Sequence, residues 1–169
     1  MAVWRDGGFS DDTWTTLDDA APIPERGAII VSFSRWRADR AALEARVDPV
    51  GVAIVAGKDV VGALAEAAKR PLVALKFDKF ADGRAFSYAE LLRERHGFKG
   101  ELRATGEVLL DEIALMLRCG FTSFEVTDAN TLRALKEGRL PKGALFYQPA
   151  PGQREAPAGT RPWLRRAVS

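Results

Sequence analysis

Short apolar segments alternate with helical patterns along the central part of this 169-residue chain. The first apolar run lies at residues 27–33, and similar runs follow at residues 50–56 and 72–77. Each run is apolar along most of its length rather than at every second position, which is typical of parallel strands that helices cover on both faces. The alternation of short strands with longer helices therefore predicts βαβ units and a largely parallel sheet.

We predict an α/β fold with a mostly parallel sheet of about six strands and helices on both faces. The alternative is a partial βα barrel that dimerises, because six strands are too few to close an eight-stranded barrel. In either arrangement the α/β domain spans residues 28–148.

The two ends of the chain differ from this domain in composition. Residues 1–27 hold aromatic and β-branched residues around a Gly-rich turn and end in a linker with two prolines, which predicts a hairpin-like appendage. Residues 149–169 hold four prolines, and four arginines against one glutamate, which predicts a flexible Pro/Arg-rich tail.

Charge and hydropathy exclude two classes of partner. The net charge of the chain is +2. The tail carries +3 and the remaining residues sum to −1, so they have no broad basic face for nucleic acid. No apolar run approaches the length that a membrane span requires, and the N-terminus lacks the apolar core of a signal peptide. We therefore expect a cytoplasmic protein that binds neither nucleic acid nor a membrane.

Motifs for common cofactors are also missing. The sequence contains neither GxGxxG after a strand nor GxxxxGK[ST], so no dinucleotide or P-loop site is indicated. One His and one Cys do not favour a zinc, haem or iron–sulfur site within one chain. We predict no metal, and the cofactor is unknown.

Ligands bind outside the carboxyl ends of the strands in parallel α/β folds, and polar residues follow three predicted strands. Arg84 and Arg103 offer planar guanidinium groups for an anion, and a helix predicted to begin at Gly106 adds its amides. Asp82 and Glu107 are the acid–base candidates. The predicted ligand-binding residues are Lys76, Gly83, Arg84, Ser87, Arg103 and Gly106. Thr105, Glu125 and Thr127 also lie at strand ends and are expected on the same rim.

Structural roles are the alternatives for several of these residues. Asp82-Gly83 is also an ordinary turn pair, and Arg84 can pair with a carboxylate of its own helix. Cys119 is a redox candidate because Arg118 precedes it, but a lone Cys beside a helix end is more often a small buried hydrophobic residue.

Residues 77–126 carry a family resemblance. They read FDKFADGRAFSYAELLRERHGFKGELRATGEVLLDEIALMLRCGFTSFEV. This stretch resembles a bacterial domain-of-unknown-function family, nine-three-four in the numbered series, which is labelled a probable oxidoreductase involved in sulfite reduction. The matching segments are D-G-R, L-L-R-x-R, G-E-L-R-A-x-G-x-V and R-C-G-F-x-x-F. Asp78 replaces the family's usual proline and Phe86 its usual tyrosine.

The resemblance implies an auxiliary protein of assimilatory sulfite or sulfate reduction. Such a protein would bind an anionic small molecule, for which the Arg-lined rim is suited, or sulfite reductase or another sulfate-assimilation protein. One alternative is a small oxidoreductase, or another enzyme, that acts on an anionic metabolite. The other is a non-catalytic interaction module, for example a homodimer.

Overall fold

The computed structural model describes residues 2–55, 60–77 and 83–140, together with the short strands at 145–146 and 165–166. Eight strands form the main sheet: β1 (Ala2–Arg5), β2 (Gly8–Ser10), β3 (Trp14–Thr16), β4 (Ala28–Ser32), β5 (Val50–Val55), β6 (Leu72–Phe77), β7 (Glu101–Gly106) and β8 (Ser123–Val126). The strands β9 (Leu145–Phe146) and β10 (Arg165–Arg166) pair antiparallel in a second, two-stranded sheet.

Six α-helices accompany the sheet: α1 (Phe33–Ala38), α2 (Arg40–Glu44), α3 (Val60–Ala67), α4 (Arg84–Glu90), α5 (Leu110–Arg118) and α6 (Ala129–Lys136). A π-helical turn (Leu91–Arg95) continues α4. Side-chain caps fix two of the starts, because Ser32 accepts a hydrogen bond from the Arg35 amide and Asp128 accepts one from the Thr131 amide. In the described residues, no helix is both long and apolar enough to cross a membrane.

The strand order of the main sheet is β2-β1-β8-β7-β6-β5-β4-β3. The strands β3 to β8 are parallel and lie in chain order, whereas β1 runs antiparallel to both β8 and β2. Right-handed connections between consecutive neighbouring parallel strands place their helices on the same face of the sheet. The result is an eight-stranded sheet curled into a half-barrel.

The two faces of the sheet have separate cores. Side chains on the convex face, such as Val52 and Leu102, pack with buried helical residues such as Leu64 and Met116 in the main core. The concave face has a smaller apolar cluster of Ile30, Leu72 and Ala74, against which Trp14 and Ala53 pack, and this cluster contains no helical residue. The described helices therefore cover the convex face alone.

The prediction of six strands with helices on both faces is corrected by this topology. The strands lack a clear alternation of apolar and polar residues because the small concave cluster also buries apolar side chains. Two further strands come from residues 2–10 and a third from residues 14–16, within the stretch set apart as an appendage. The curled half-barrel agrees with the alternative, a partial βα barrel.

A short link between the two edge strands forces the sheet to curl. β2 and β3 lie at opposite edges, yet only residues 11–13 separate Ser10 from Trp14. Four residues of extended chain span at most roughly 14 Å. Eight flat strands would place the edges roughly 34 Å apart at the usual spacing between strands. The link can join the two edges only if the sheet bends around it.

Residues 17–27 then run along the domain and are held by two arginines of the following helical region. Arg35 donates hydrogen bonds to the carbonyls of Asp18 and Ala21, and Arg46 donates to those of Pro24 and Gly27. The Pro-containing linker is thereby tied to the domain. Apart from Arg165 and Arg166, the predicted tail at residues 149–169 lies outside the described residues.

The predicted start of α5 at Gly106 is wrong, because the helix begins at Leu110. Gly106 still belongs to β7, and its φ of +84° is in the region that glycine tolerates. A Cβ atom there would lie 2.3 Å from the Phe77 carbonyl oxygen. The Glu107 amide donates to that same oxygen at 2.9 Å, so it extends the strand pairing and is not a free helix-start amide.

Candidate functional site

A cleft of about 580 Å³ opens on the concave face of the half-barrel. This concave cleft is lined by Thr16, Ile30, Ala53, Ala74, Lys76, Thr105, Gly106, Glu107, Glu125 and Thr127. Six parallel strands or the residues directly after them supply these side chains, mostly near their carboxyl ends. This is the location at which α/β folds usually bind ligands, and the volume is in the range of small-molecule sites.

The floor of the concave cleft is apolar and its charged groups lie on the walls. Ile30 and Ala74 are buried, and Ala53 lies between them in the strand order. Lys76 is the register partner of Thr105 on the neighbouring strand. The charged residues among the described lining residues are Lys76, Glu107 and Glu125, which bring one ammonium and two carboxylates to the cleft. The cleft can therefore meet ligand groups of both charges.

The predicted site residues do not all lie in this cleft. Lys76, Gly106 and Glu107 line it. Gly83, Arg84 and Ser87 lie in α4 or directly before it, and none of them is among the described lining residues. Asp82 and Asp78 lie outside the described residues. The aromatic ring of Phe86 packs edge-on against Phe77 at 5.2 Å, a contact that does not require a tyrosine hydroxyl.

Arg103 lies in a buried ion-pair network beside the cleft. Its side chain is 0% exposed, and its Nη1 and Nη2 donate to the two carboxylate oxygens of Asp12 at 2.7 and 2.9 Å. Its Nε and Nη2 also donate to Oε1 of Glu101 at 3.0 and 2.8 Å. Ser123 donates to the same oxygen at 2.6 Å, and Arg5 approaches the other Glu101 oxygen at 3.7 Å.

The network is electrically balanced, since two arginines face two carboxylates. Burial alone would raise the pKa of Asp12, but hydrogen bonds from Arg103 and from the Trp14 amide, with the nearby positive charges, hold it below its usual value. Burial opposes the charge on Arg103 as well, yet the bonds to Asp12 and Glu101 raise its pKa. An external anion would have to displace one of these carboxylates, so the geometry does not favour Arg103 as an anion ligand.

The sequence can indicate the pairing of Glu101 with Arg103 but not the pairing of Asp12 with Arg103. Glu101 and Arg103 are two apart in one strand, so their side chains share a face and can pair. Asp12 is 91 residues away from Arg103, and no local pattern connects the two. Thr16 in the cleft was missed for the same reason, because its strand was assigned to the appendage.

Arg93 connects two segments of the family resemblance, L-L-R-x-R and R-C-G-F-x-x-F, through hydrogen bonds and packing. Its Nε donates to the Gly120 carbonyl at 2.9 Å, and its Nη1 donates to the carbonyls of Phe98 and Gly100 at 2.7 and 3.0 Å. A Cβ atom at Gly120 would lie 2.6 Å from Cγ of Arg93. The arginine therefore needs a glycine at that position, and both serve the packing of the π-helical turn against the end of α5.

Cys119 has the properties of a structural residue. It is 5% exposed, and its Sγ lies 3.6 Å from Oε1 of Glu90. Burial, the charge of Glu90 and the hydrogen bond to it raise the pKa of the thiol to about 11, against the weaker opposing effect of Arg118. Little thiolate forms near neutral pH under these conditions, and the geometry gives no support to the predicted redox role.

Comparisons with known proteins identify the family. The sequence model of the family described as "Bacterial protein of unknown function (DUF934)" matches residues 51–158. The chain belongs to this DUF934 family. No curated protein matches the chain, and no solved structure does. The DUF934 region begins in β5 and contains Lys76, Glu107 and Glu125, whereas Asp12 and Thr16 precede it.

Among the described residues, no three His, Cys, Asp or Glu side chains are placed to hold a metal ion.

Substitution of Asp12 should change the acid sensitivity of the fold. The native pKa of Asp12 is lowered, so its contribution to the free energy of unfolding is complete above its unfolded pKa of about 3.9 and is lost as the pH falls through the native value. Asp12→Asn should be less stable at pH 7, and its stability should fall less steeply than that of the wild type between about pH 5 and 2. Urea unfolding at several pH values measures this.

Asp11→Asn is the matched control, since Asp11 is exposed and neighbours Asp12. Its stability should follow the pH dependence of the wild type. An Asp12→Asn variant with the same acid dependence as the wild type would contradict the network.

Proposed function

We propose that this protein is an auxiliary protein of assimilatory sulfite or sulfate reduction that binds a small anionic metabolite in the concave cleft. The pathway is inferred from the resemblance of residues 77–126 to a family labelled with sulfite reduction. The binding role is inferred from the cleft itself, and the observation that carries it is the position of Lys76 on its wall.

Lys76 suits the binding of an acidic group for two reasons. Its side chain lines a cleft with an apolar floor, and charges are screened less strongly by water beside apolar walls than at an open surface. Thr105, its register partner on β7, adds a hydroxyl that can donate a hydrogen bond to the same group. Glu107 and Glu125 repel further negative charge, so one acidic group is favoured over a multiply charged anion.

A small oxidoreductase, or another enzyme that acts on an anionic metabolite, is the second candidate. It is favoured by the carboxylate of Glu107, which lies in the same cleft as Lys76 and is suited to acid–base chemistry. Binding to sulfite reductase and formation of a homodimer stay predictions from the sequence.

Lys76→Ala should weaken the binding of small anions, and among these the short carboxylates, which carry one negative charge, should bind best to the wild type. Thermal-shift and calorimetric titrations with sulfite, sulfate, adenylyl sulfate and short carboxylates would measure it, and we expect a loss of affinity of about tenfold or more, because a charge-assisted hydrogen bond is removed. Lys136→Ala is the control, since Lys136 is exposed on α6, away from the cleft. Equal affinities of both variants and the wild type, or no stabilisation by any of these anions, would contradict the proposal.

Loss of the protein should impair growth at the sulfite-reduction step. A deletion strain is expected to grow poorly on sulfate or sulfite as sole sulfur source and normally on sulfide or cysteine, with rescue by the wild-type gene. Normal growth on all four sulfur sources would contradict a role of the protein in this pathway. The titrations would still test ligand binding separately.

A further inference from the structure

We infer that the ligand of the concave cleft is a zwitterion of the α-amino acid class, with its ammonium at Glu125 and its carboxylate at Lys76. This inference rests on the proposed function, because it keeps an acidic group of the ligand at Lys76 and names the class of ligand for the same cleft. The inference adds that the ligand must also carry a positive group, which a simple anion lacks.

Glu125 is the first observation behind this inference. Its side chain is only partly exposed and lies on the cleft wall. Within the described parts of the chain its carboxylate makes no hydrogen bond or ion pair, whereas the carboxylate of Glu101 on the same face accepts from both Arg103 and Ser123. A carboxylate that loses part of its hydration without a partner is unfavourable, and a ligand ammonium would provide that partner.

The register of the strands places Glu125 and Lys76 on either side of Thr105. Lys76 pairs with Thr105 directly. Arg103 pairs with Ser123, and Thr105 and Glu125 each lie two residues further along their strands, so they are also neighbours on the same face. The backbones of Lys76 and Glu125 are therefore two strand spacings apart, roughly 10 Å, and the concave surface turns their side chains towards each other. A small molecule with both charges can reach both groups.

The cleft floor indicates what the rest of the ligand resembles. Ile30, Ala53 and Ala74 form an apolar surface between the charged wall and β3. An uncharged side chain of an amino acid can cover this surface. Inorganic sulfate would leave the floor open and Glu125 without a partner, and it would bring like charges close to Glu107.

The test compares molecules that share one side chain and differ in their charged groups. The full-length protein is titrated by calorimetry and thermal shift with the standard α-amino acids, and then with the oxo acid and the amine that correspond to the best binder. We expect the amino acid to bind about tenfold or more tightly than either single-charge analogue. If the oxo acid or sulfate binds as tightly as the amino acid, this inference is wrong and the proposed anion site stands. If neither amino acids nor anions bind, both are wrong.

Glu125→Gln separates the role of this carboxylate from general effects on the fold. The variant should lose about tenfold in affinity for the amino acid and should bind the oxo acid at least as tightly as the wild type does. The reason is that Glu125→Gln removes the partner of the ammonium together with a charge that repels an anion. Glu25→Gln is the control, since Glu25 is exposed in the segment before β4. A Glu125→Gln variant that melts like the wild type and keeps its preference for the amino acid would overturn the assignment.

Discussion

The bidentate ion pair between Asp12 and Arg103 is the interaction on which the concave face depends. Asp12 lies in the link of residues 11–13, which joins strands at opposite edges of an eight-stranded sheet. The short link bends the sheet, and the buried Arg103 fixes the middle of the link against β7. Such a pair is expensive to desolvate, and it is tolerated here because Glu101, Ser123 and Arg5 complete its hydrogen bonds and charges.

The ion-pair network and the concave cleft lie on the same face of the sheet but differ in how their charges are balanced. The network neutralises its own charges and lies towards the amino ends of β7 and β8. The cleft opens towards the carboxyl ends of the strands, where one lysine and two glutamates are among the lining residues. The carboxylate of Glu125 makes no hydrogen bond or ion pair within the described residues. This contrast is the physical basis for assigning stability to the first region and ligand binding to the second. It also explains why part of the G-E-L-R-A-x-G-x-V segment serves the fold.

Local sequence patterns predicted much of this arrangement. The apolar runs at residues 27–33, 50–56 and 72–77 correspond to β4, β5 and β6. The rule that ligands bind at the carboxyl ends of parallel strands selected Lys76 and Glu107, which lie in the cleft. These successes rest on apolar runs and on the position of a residue at the end of its own strand, both of which are local features.

The misassignments all concern interactions between distant parts of the chain. Arg103 was expected at a ligand rim because its partner Asp12 belongs to a segment that was set apart as an appendage. Helices were expected on both faces because the apolar patch around Ile30 and Leu72 conceals the alternation that an open face would give. Strand order decides both points, and it depends on pairing between segments that no local pattern specifies.

A double-mutant cycle of Asp12→Ala and Arg103→Met tests the central role of this ion pair most directly. Asp12→Ala leaves the buried Arg103 with Glu101 as its remaining carboxylate, and Arg103→Met leaves Asp12 and Glu101 without the cation that binds them both. Each single substitution should lower the free energy of unfolding by about 3 to 5 kcal/mol. The double variant should be more stable than the sum of the single effects requires, with a coupling of about 1 to 3 kcal/mol. Additive effects in urea unfolding would show that the two residues do not stabilise the fold together and would contradict this account.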